Sequence, residues 1–354
     1  MPKSNRFDQR LKNIPNNLWS RITKIDEFKG KWTGGLQASP YFLNRLKKSI
    51  LVTSTGASTR IEGAKLTDEE VEKLMQGLKV KKWESRDSQE VSGYYELLKN
   101  VFESWKTIPF RESTIKHFHK ELLKYVAKDE RHRGEYKKIE NAVEMFNEEG
   151  KSVGVVFETT KAFLTPKEMQ ELAEWTEKAL AEEHLHPLLI IGNFVFEFLK
   201  IHPFQDGNGR LSRIMTNLLL LKSGYLYMPY VSHEKLIEDN KNAYYAALRQ
   251  SQNSFGTEKE TVIPWLDFFL AVVLKQSQKA IELLTQEDIE KILSPKQLAV
   301  WNYLQDVSEA APAEIVEKTK VAAPTVYQAL TKLIKLKKVE RIGLGRGTRY
   351  RKVS

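Results

Sequence analysis

Residues 202–210 read HPFQDGNGR, directly behind the apolar stretch LLIIGNFVFEFLKI (188–201). Pro203 and the Gly-Asn-Gly triplet stop one helix, and the next is predicted to begin near Asn208 or Gly209. Residues without bulky side chains beside a helix N-terminus aim several backbone N–H groups at one spot, which makes that spot an anion hole. Arg210 and Arg213 are three apart on the new helix. They therefore share a face beside the hole and add two forks for phosphate oxygens. Asp206 could hold a divalent cation bridging those oxygens, and partial solvation there suits Mg²⁺, which keeps several of its waters. His202 is the natural proton acceptor near neutral pH. A base, a metal carboxylate and a polyphosphate cradle thus stand within a dozen residues.

The elements that must position this run are mostly helices. Thr67 and Glu70 form a capping box that starts a helix over 68–78. Residues 87–105 and 112–126 carry apolar residues at spacings of three and four, and the segment after Pro166 repeats the pattern. The stretches 188–201 and 211–224 are apolar around most of their circumference and belong at the centre, with Gly224 suited to a helix end. GKSVGVVFETTKAF (150–163), preceded by a turn-prone NEEG, breaks the helical pattern and predicts a short β-hairpin. From 294 on, three short helices and then two strands around GLGRG predict a winged helix-turn-helix.

Composition narrows the class. At 354 residues, 41% hydrophobic and 29% charged, the chain is that of a soluble globular protein of two or three domains. The polar, basic opening MPKSNRFDQRLKNIPNN has no apolar core of a secretory leader, and 188–201 is too short and too charged to cross a bilayer, so no membrane role is expected. There is no cysteine, which excludes disulfides, a thiolate nucleophile and a cysteine-based zinc site and suits a cytoplasmic location. The net charge of +10 is uneven: residues 292–354 hold 12 Lys and Arg against 5 Asp and Glu, the remainder 44 against 41. Any nucleic-acid partner belongs to that basic tail.

HPFQDGNGRLSR resembles the signature of the Fic family, His-Pro-Phe-x-Asp/Glu-Gly-Asn-Gly-Arg-x-x-Arg, at every specified position. The similarity extends over roughly 110–255, through GEYKKIENAV (134–143), the hairpin and YYAAL (244–248). The resemblance implies a mainly α Fic-fold core with a hairpin flap, and transfer of AMP from ATP to a Ser, Thr or Tyr hydroxyl of a target protein with release of pyrophosphate. It gives His202 the role of base and Asp206 that of Mg²⁺ ligand. Gly207, Asn208 and Gly209 would line the anion hole, and Arg210 and Arg213 would grip the β- and γ-phosphates. Tyr244 and Tyr245 would pack the adenine, although a core aromatic pair reads equally well there. The flap would pair with the target's extended backbone. Relatives that resemble the Doc toxin, and phosphorylate, carry Lys where this chain has Gly209, so the glycine favours AMP transfer.

STRIEG (58–63) fits a second pattern of the same family, Ser/Thr-x-x-x-Glu-Gly/Asn, the inhibitory helix. By this resemblance Glu62 pairs with Arg213 and obstructs the γ-phosphate site, with Ser58 in support, and Glu62 alternatively aligns water to remove AMP. The expected domains are an N-terminal helical region with this motif (1–109), a catalytic domain with its following helices (110–291) and a winged helix (292–354). The competing reading is a DNA-binding regulator. In it Thr325, Tyr327, Gln328 and Thr331 reach base edges, while Lys332, Lys335, Arg346 and Arg349 meet phosphates. Homo-oligomerisation is left open.

Overall fold

In the computed structural model, residues 5–35, 40–77, 86–146, 152–255, 257, 260–285, 293–343 and 345–353 are described. The chain divides into two compact units, Met1–Leu284 and Thr285–Ser354. The first is helical: α1 (Arg6–Gln9), α2 (Asn16–Gly35), α3 (Pro40–Ile61), α4 (Asp68–Met75), α5 (Arg86–Ser104) and α6 (Glu112–Leu122) precede a hairpin of β1 (Ala142–Phe146) and β2 (Ser152–Glu158). Then follow α7 (Thr165–Glu182), α8 (Pro187–Ile201), α9 (Asn208–Lys222), α10 (His233–Glu238), α11 (Lys241–Gln252) and α12 (Ile263–Thr285).

The sequence signals act where they stand. Thr67 and Glu70 close the capping box that starts α4, and Pro166 lies in the first turn of α7, where its missing N–H costs no helix bond. Gly224 (φ 86°) turns the chain away after α9. The two most apolar helices are central: α8 is buried along nearly its whole length, and α9 from Arg210 to Leu221. A helix buried on all sides admits a charge only with partners. Glu197 of α8 is fully buried and is met by Arg10, by Lys200 at 3.2 Å and by Arg6 at 3.6 Å. Desolvation pushes its carboxyl up, but these cations, Arg10 foremost, outweigh it and hold the group below the usual carboxylate range.

The hairpin lies earlier than its sequence suggested. Its strands pair antiparallel from Ala142↔Glu158 to Phe146↔Ser152, so NEEG lies between the strands rather than before them, and the first strand is AVEMF. Thr159 and the residues after it are not strand, because their hydrogen bonds go elsewhere: the Thr160 N–H donates to the Lys200 carbonyl at 3.3 Å, and 162–164 form a 3-10 turn. The residues at the hairpin's tip lie outside the described ones.

The second unit has its own core of Val300, Trp301, Leu304, Ile315, Val326, Leu330 and Leu333. Three helices, α13 (Pro295–Asp306), α14 (Pro312–Thr319) and α15 (Ala323–Lys335), are followed by an antiparallel pair, β3 (Val339–Ile342) and β4 (Arg349–Lys352). Ala310 adds a single bridge to Tyr350.

Candidate active site

The run 202–210 is the connection between α8 and α9. His202 is the C-cap of α8, in the left-handed region (φ 51°, ψ 60°), with its N–H donating to the Phe198 carbonyl at 2.9 Å. That conformation is uncommon for a side-chain-bearing residue and persists only where its surroundings enforce it. The imidazole is half-buried. Its Nδ1 faces the Leu199 carbonyl at 3.3 Å, and a carbonyl can only accept, so Nδ1 carries the hydrogen and Nε2 is left with its lone pair. Desolvation, helped by the charge of Lys137, holds His202 down at about 4. The ring is therefore neutral and able to take a proton at physiological pH.

Gly207 (φ 80°) is the N-cap of α9 and adopts a backbone that only glycine takes cheaply. The first-turn N–H groups of Asn208, Gly209 and Arg210 have no preceding turn to bond to and open toward one point. The side chain of Asn208 faces away from that point: Oδ1 accepts from the Phe204 N–H at 2.9 Å, and Nδ2 donates to the Phe204 carbonyl at 2.7 Å. Asn208 thus contributes its backbone to the hole and its side chain to the loop.

The site's charges are paired. Arg213 is buried; its Nε donates to Ser58 Oγ at 2.7 Å, and Nη2 donates to the Ser58 carbonyl at 2.9 Å and to Glu62 Oε1 at 2.7 Å. Glu62 stands just past the end of α3, where Gly63 (φ 98°) turns the chain away. Its carboxylate reaches over the start of α9, and a Cβ built on Gly209 would lie 2.1 Å from Glu62 Oε1. Arg210, also buried, donates to Asp206 Oδ1 at 3.0 Å and forms an ion pair with Glu90 Oε2 at 2.7 Å. Asp206 accepts in addition from Arg86 and from the Gly207 N–H. Burial pushes its carboxyl up, but Arg210 and Arg86 outweigh that and keep it low.

Tyr244 and Tyr245 are both buried, their rings 5.1 Å apart, and Tyr244 packs edge-on to Trp265 at 5.7 Å and Phe268 at 5.8 Å. Arg213 and Tyr244 line one small internal cavity together with His233 and Trp265.

Five contributors were absent from the sequence reading. Glu90 and Arg86 of α5 complete the Arg210–Asp206 cluster. His119 of α6 is fully buried, stacks on Phe204 at 3.8 Å and bridges the loop: its Nδ1 accepts from the Gly134 N–H at 2.9 Å, so its Nε2–H donates to the Asp206 carbonyl at 3.0 Å. Lys137 and Asn141 bond the backbone of 201–204. They lie in GEYKKIENAV, yet no local pattern marks a buried lysine that donates to a carbonyl 64 residues away.

This helical unit has the Fic fold. Residues 109–220 match the Fic/DOC family profile. A Fic family protein from Desulfovibrio desulfuricans G20 superposes with a TM-score of 0.66 at 22% identity, over 96% of this chain and 97% of that one. Fic-1 from C. elegans superposes at 0.61 and 16% identity, over 76% and 73%. Among curated relatives, Protein adenylyltransferase Fic of Drosophila melanogaster is 40% identical over 63 residues, 17% of this chain and 13% of that protein. Its Drosophila yakuba counterpart is 37% identical over 87 residues, 24% and 16%. The chain thus matches only a small part of these relatives' length.

Proposed function

We propose that this protein transfers AMP from ATP to a hydroxyl side chain of a target protein and is held in a low-activity state by Glu62. The observation that carries the reading is the position of the Glu62 carboxylate. It lies against Arg213 and over Gly209, on the donors that a nucleotide's terminal phosphates would need, and those two residues follow a neutral His202 on the same loop and helix.

In the reaction the target's hydroxyl oxygen attacks the α-phosphorus while its proton passes to His202 Nε2. The bond from the α-phosphorus to the bridging oxygen breaks, and pyrophosphate leaves. In-line positioning and neutralisation of spread negative charge dominate such a step. Once Glu62 has moved off, the N–H groups at the start of α9 and the guanidinium of Arg213 supply both. Arg210 is already matched by Asp206 and Glu90, so its part is to fix the loop's charge as well as to face phosphate. Tyr244 and Tyr245 pack the adenine from α11, and the hairpin pairs with the target's backbone.

The donor set also fits Mg²⁺. Among the described residues no three metal-ligating side chains converge. Asp206 offers one partly exposed carboxylate, which suffices for a cation that fills its shell with phosphate oxygens and water. Asp206 would hold it, and it would neutralise charge on the phosphates. Incubating Glu62→Gly with α-labelled and γ-labelled ATP tests the proposal. Label from the first alone, lost in His202→Ala, is the expected result; label from γ-labelled ATP would mean phosphorylation instead.

A second reading belongs to the Thr285–Ser354 unit. Tyr327, Gln328, Thr331 and Lys335 of α15 are exposed on the side opposite Val326, Leu330 and Leu333, as a recognition helix of a winged helix requires. Arg349 instead faces Glu309 and Glu314, each at 3.5 Å, and the side chain of Arg346 lies outside the described ones. Binding to duplex DNA that weakens with salt, with a log–log slope of about −0.9 per phosphate contact, supports this reading; salt-independent or absent binding removes it. Among the described residues no helix is long and apolar enough to cross a membrane.

A further inference from the structure

Four consecutive carbonyls, those of Ile201, His202, Pro203 and Phe204, accept hydrogen bonds from two residues outside the loop. Lys137 Nζ donates to the Ile201 carbonyl at 2.9 Å, and the Lys137 N–H to that of Pro203 at 2.8 Å. Asn141 Nδ2 donates to the carbonyls of His202 at 3.2 Å and Phe204 at 2.7 Å. Both residues are themselves fixed. The Lys137 ammonium spends its other two donors on Asn141 Oδ1 and Thr159 Oγ1, both at 2.8 Å, and Thr159 Oγ1 donates back to the Asn141 carbonyl at 2.8 Å. Asn141 precedes β1 and Thr159 follows β2, so this knot is the root of the hairpin.

We infer that Lys137 and Asn141 are positioning residues, which hold His202 in its left-handed conformation and tie the register of the hairpin to the catalytic loop. The geometry argues for this role over plain packing. A loop could be buried by apolar contacts alone, whereas here each carbonyl around the strained residue has a directed donor. The lysine is almost wholly buried, with three acceptors for its three donors and no carboxylate among them. A target strand laid along the hairpin is then in fixed register with His202, because the hairpin's two ends and the loop share one set of hydrogen bonds. The inference rests on the AMP-transfer reading for its kinetic consequence, but not for its structural one.

The test uses the full chain in the Glu62→Gly background, with Asn141→Ala and Lys137→Met against Lys137→Arg. Misplacement of a reacting group by about 1 Å costs on the order of 10²-fold. The expected result is therefore a fall in kcat of about that size for Asn141→Ala and Lys137→Met, with KM for ATP nearly unchanged and partial rescue by Lys137→Arg. Hydrogen exchange of the amides of 202 and 204–207 should speed up in the same two variants, while the amides of α9 keep their protection. Unchanged kcat together with unchanged exchange overturns the inference. So does a parallel loss of ATP binding, α9 protection and thermal stability, which marks a merely structural role. Should Glu62→Gly itself transfer nothing, the AMP-transfer reading fails, and the exchange of 202 and 204–207 alone decides the positioning role.

Discussion

The carboxylate of Glu62 lies so close over Gly209 that any side chain at 209 would collide with it, the first carbon at 2.1 Å from Oε1. Glu62 lies in STRIEG, just past α3, and Gly209 at the start of α9. The structure makes them one contact, with Arg213 on its other side.

Replacing Glu62 by Gly frees Arg213. Charge-assisted hydrogen bonds contribute about 1.5–3 kcal/mol, so AMP labelling of protein should rise by roughly 10–100-fold, read from α-labelled ATP. A rise below two-fold would show that the contact does not limit the reaction.

The pH profile should carry the signature of a depressed base. As the proposed base, His202 must be unprotonated, and its site holds it at about 4. In Glu62→Gly, kcat/KM should therefore stay level from pH 8 down to about pH 5.5 and fall only on approaching 4. An acid limb centred near 6.5, that of a free imidazole, would place the base elsewhere.

His119 should make the fold acid-sensitive. Burial, the largest cause, holds it at about 4, so between pH 6.5 and 4 the unfolded chain takes up a proton that the folded chain refuses. Stability present above 6.5 is lost as pH falls through that window, by up to about 3 kcal/mol at 1.4 kcal/mol per pH unit. His119→Gln should unfold at a lower temperature at pH 7 and lose less on acidification. A parallel pH dependence of Tm in the two proteins would exclude His119 as the cause.

Arg86 stands on the carboxylate that a cation would use. Arg86→Gln should lower the Mg²⁺ concentration needed for half-maximal stabilisation of the protein by a non-hydrolysable ATP analogue, measured as a thermal shift. The shift without Mg²⁺ should stay the same. A higher Mg²⁺ requirement would mean that Arg86 holds Asp206 in place instead of competing for it.

Arg10→Met leaves the fully buried Glu197 short of its nearest cation. Removing one partner of such a pair typically costs about 3–5 kcal/mol, whereas Lys31→Met, on an exposed pair with Glu27, should leave stability nearly unchanged. Denaturant unfolding of the two variants distinguishes them.

The helices were legible wherever period and punctuation agreed: the Thr67 box, Pro166, Gly224 and the two apolar helices each stand where local chemistry put them. The hairpin was displaced because AVEMF carries a glutamate amid its apolar residues and NEEG reads equally well before a strand or between two. At the site, the loop's own residues were legible because a helix end, two glycines and two arginines have local meanings. Glu90, Arg86, His119, Lys137 and Asn141 were not. Each is an ordinary helix or loop residue in sequence, given a role only by tertiary contacts with the loop at 201–210.

Helix α3, which ends one residue before Glu62, is fastened on both sides of its last turns. Ser54 donates to Ser232 Oγ at 2.8 Å, and Arg60 forks onto Glu238 at 2.6 and 3.2 Å and reaches Asp68 at 2.9 Å. A helix pinned this way has little freedom to swing aside as a lever. On the proposed reading, unblocking the site then calls for no more than a turn about the side-chain bonds of one glutamate, a latch of three carbon atoms on a rigid frame. Its strength can be retuned by single substitutions around one carboxylate while the scaffold stays as it is.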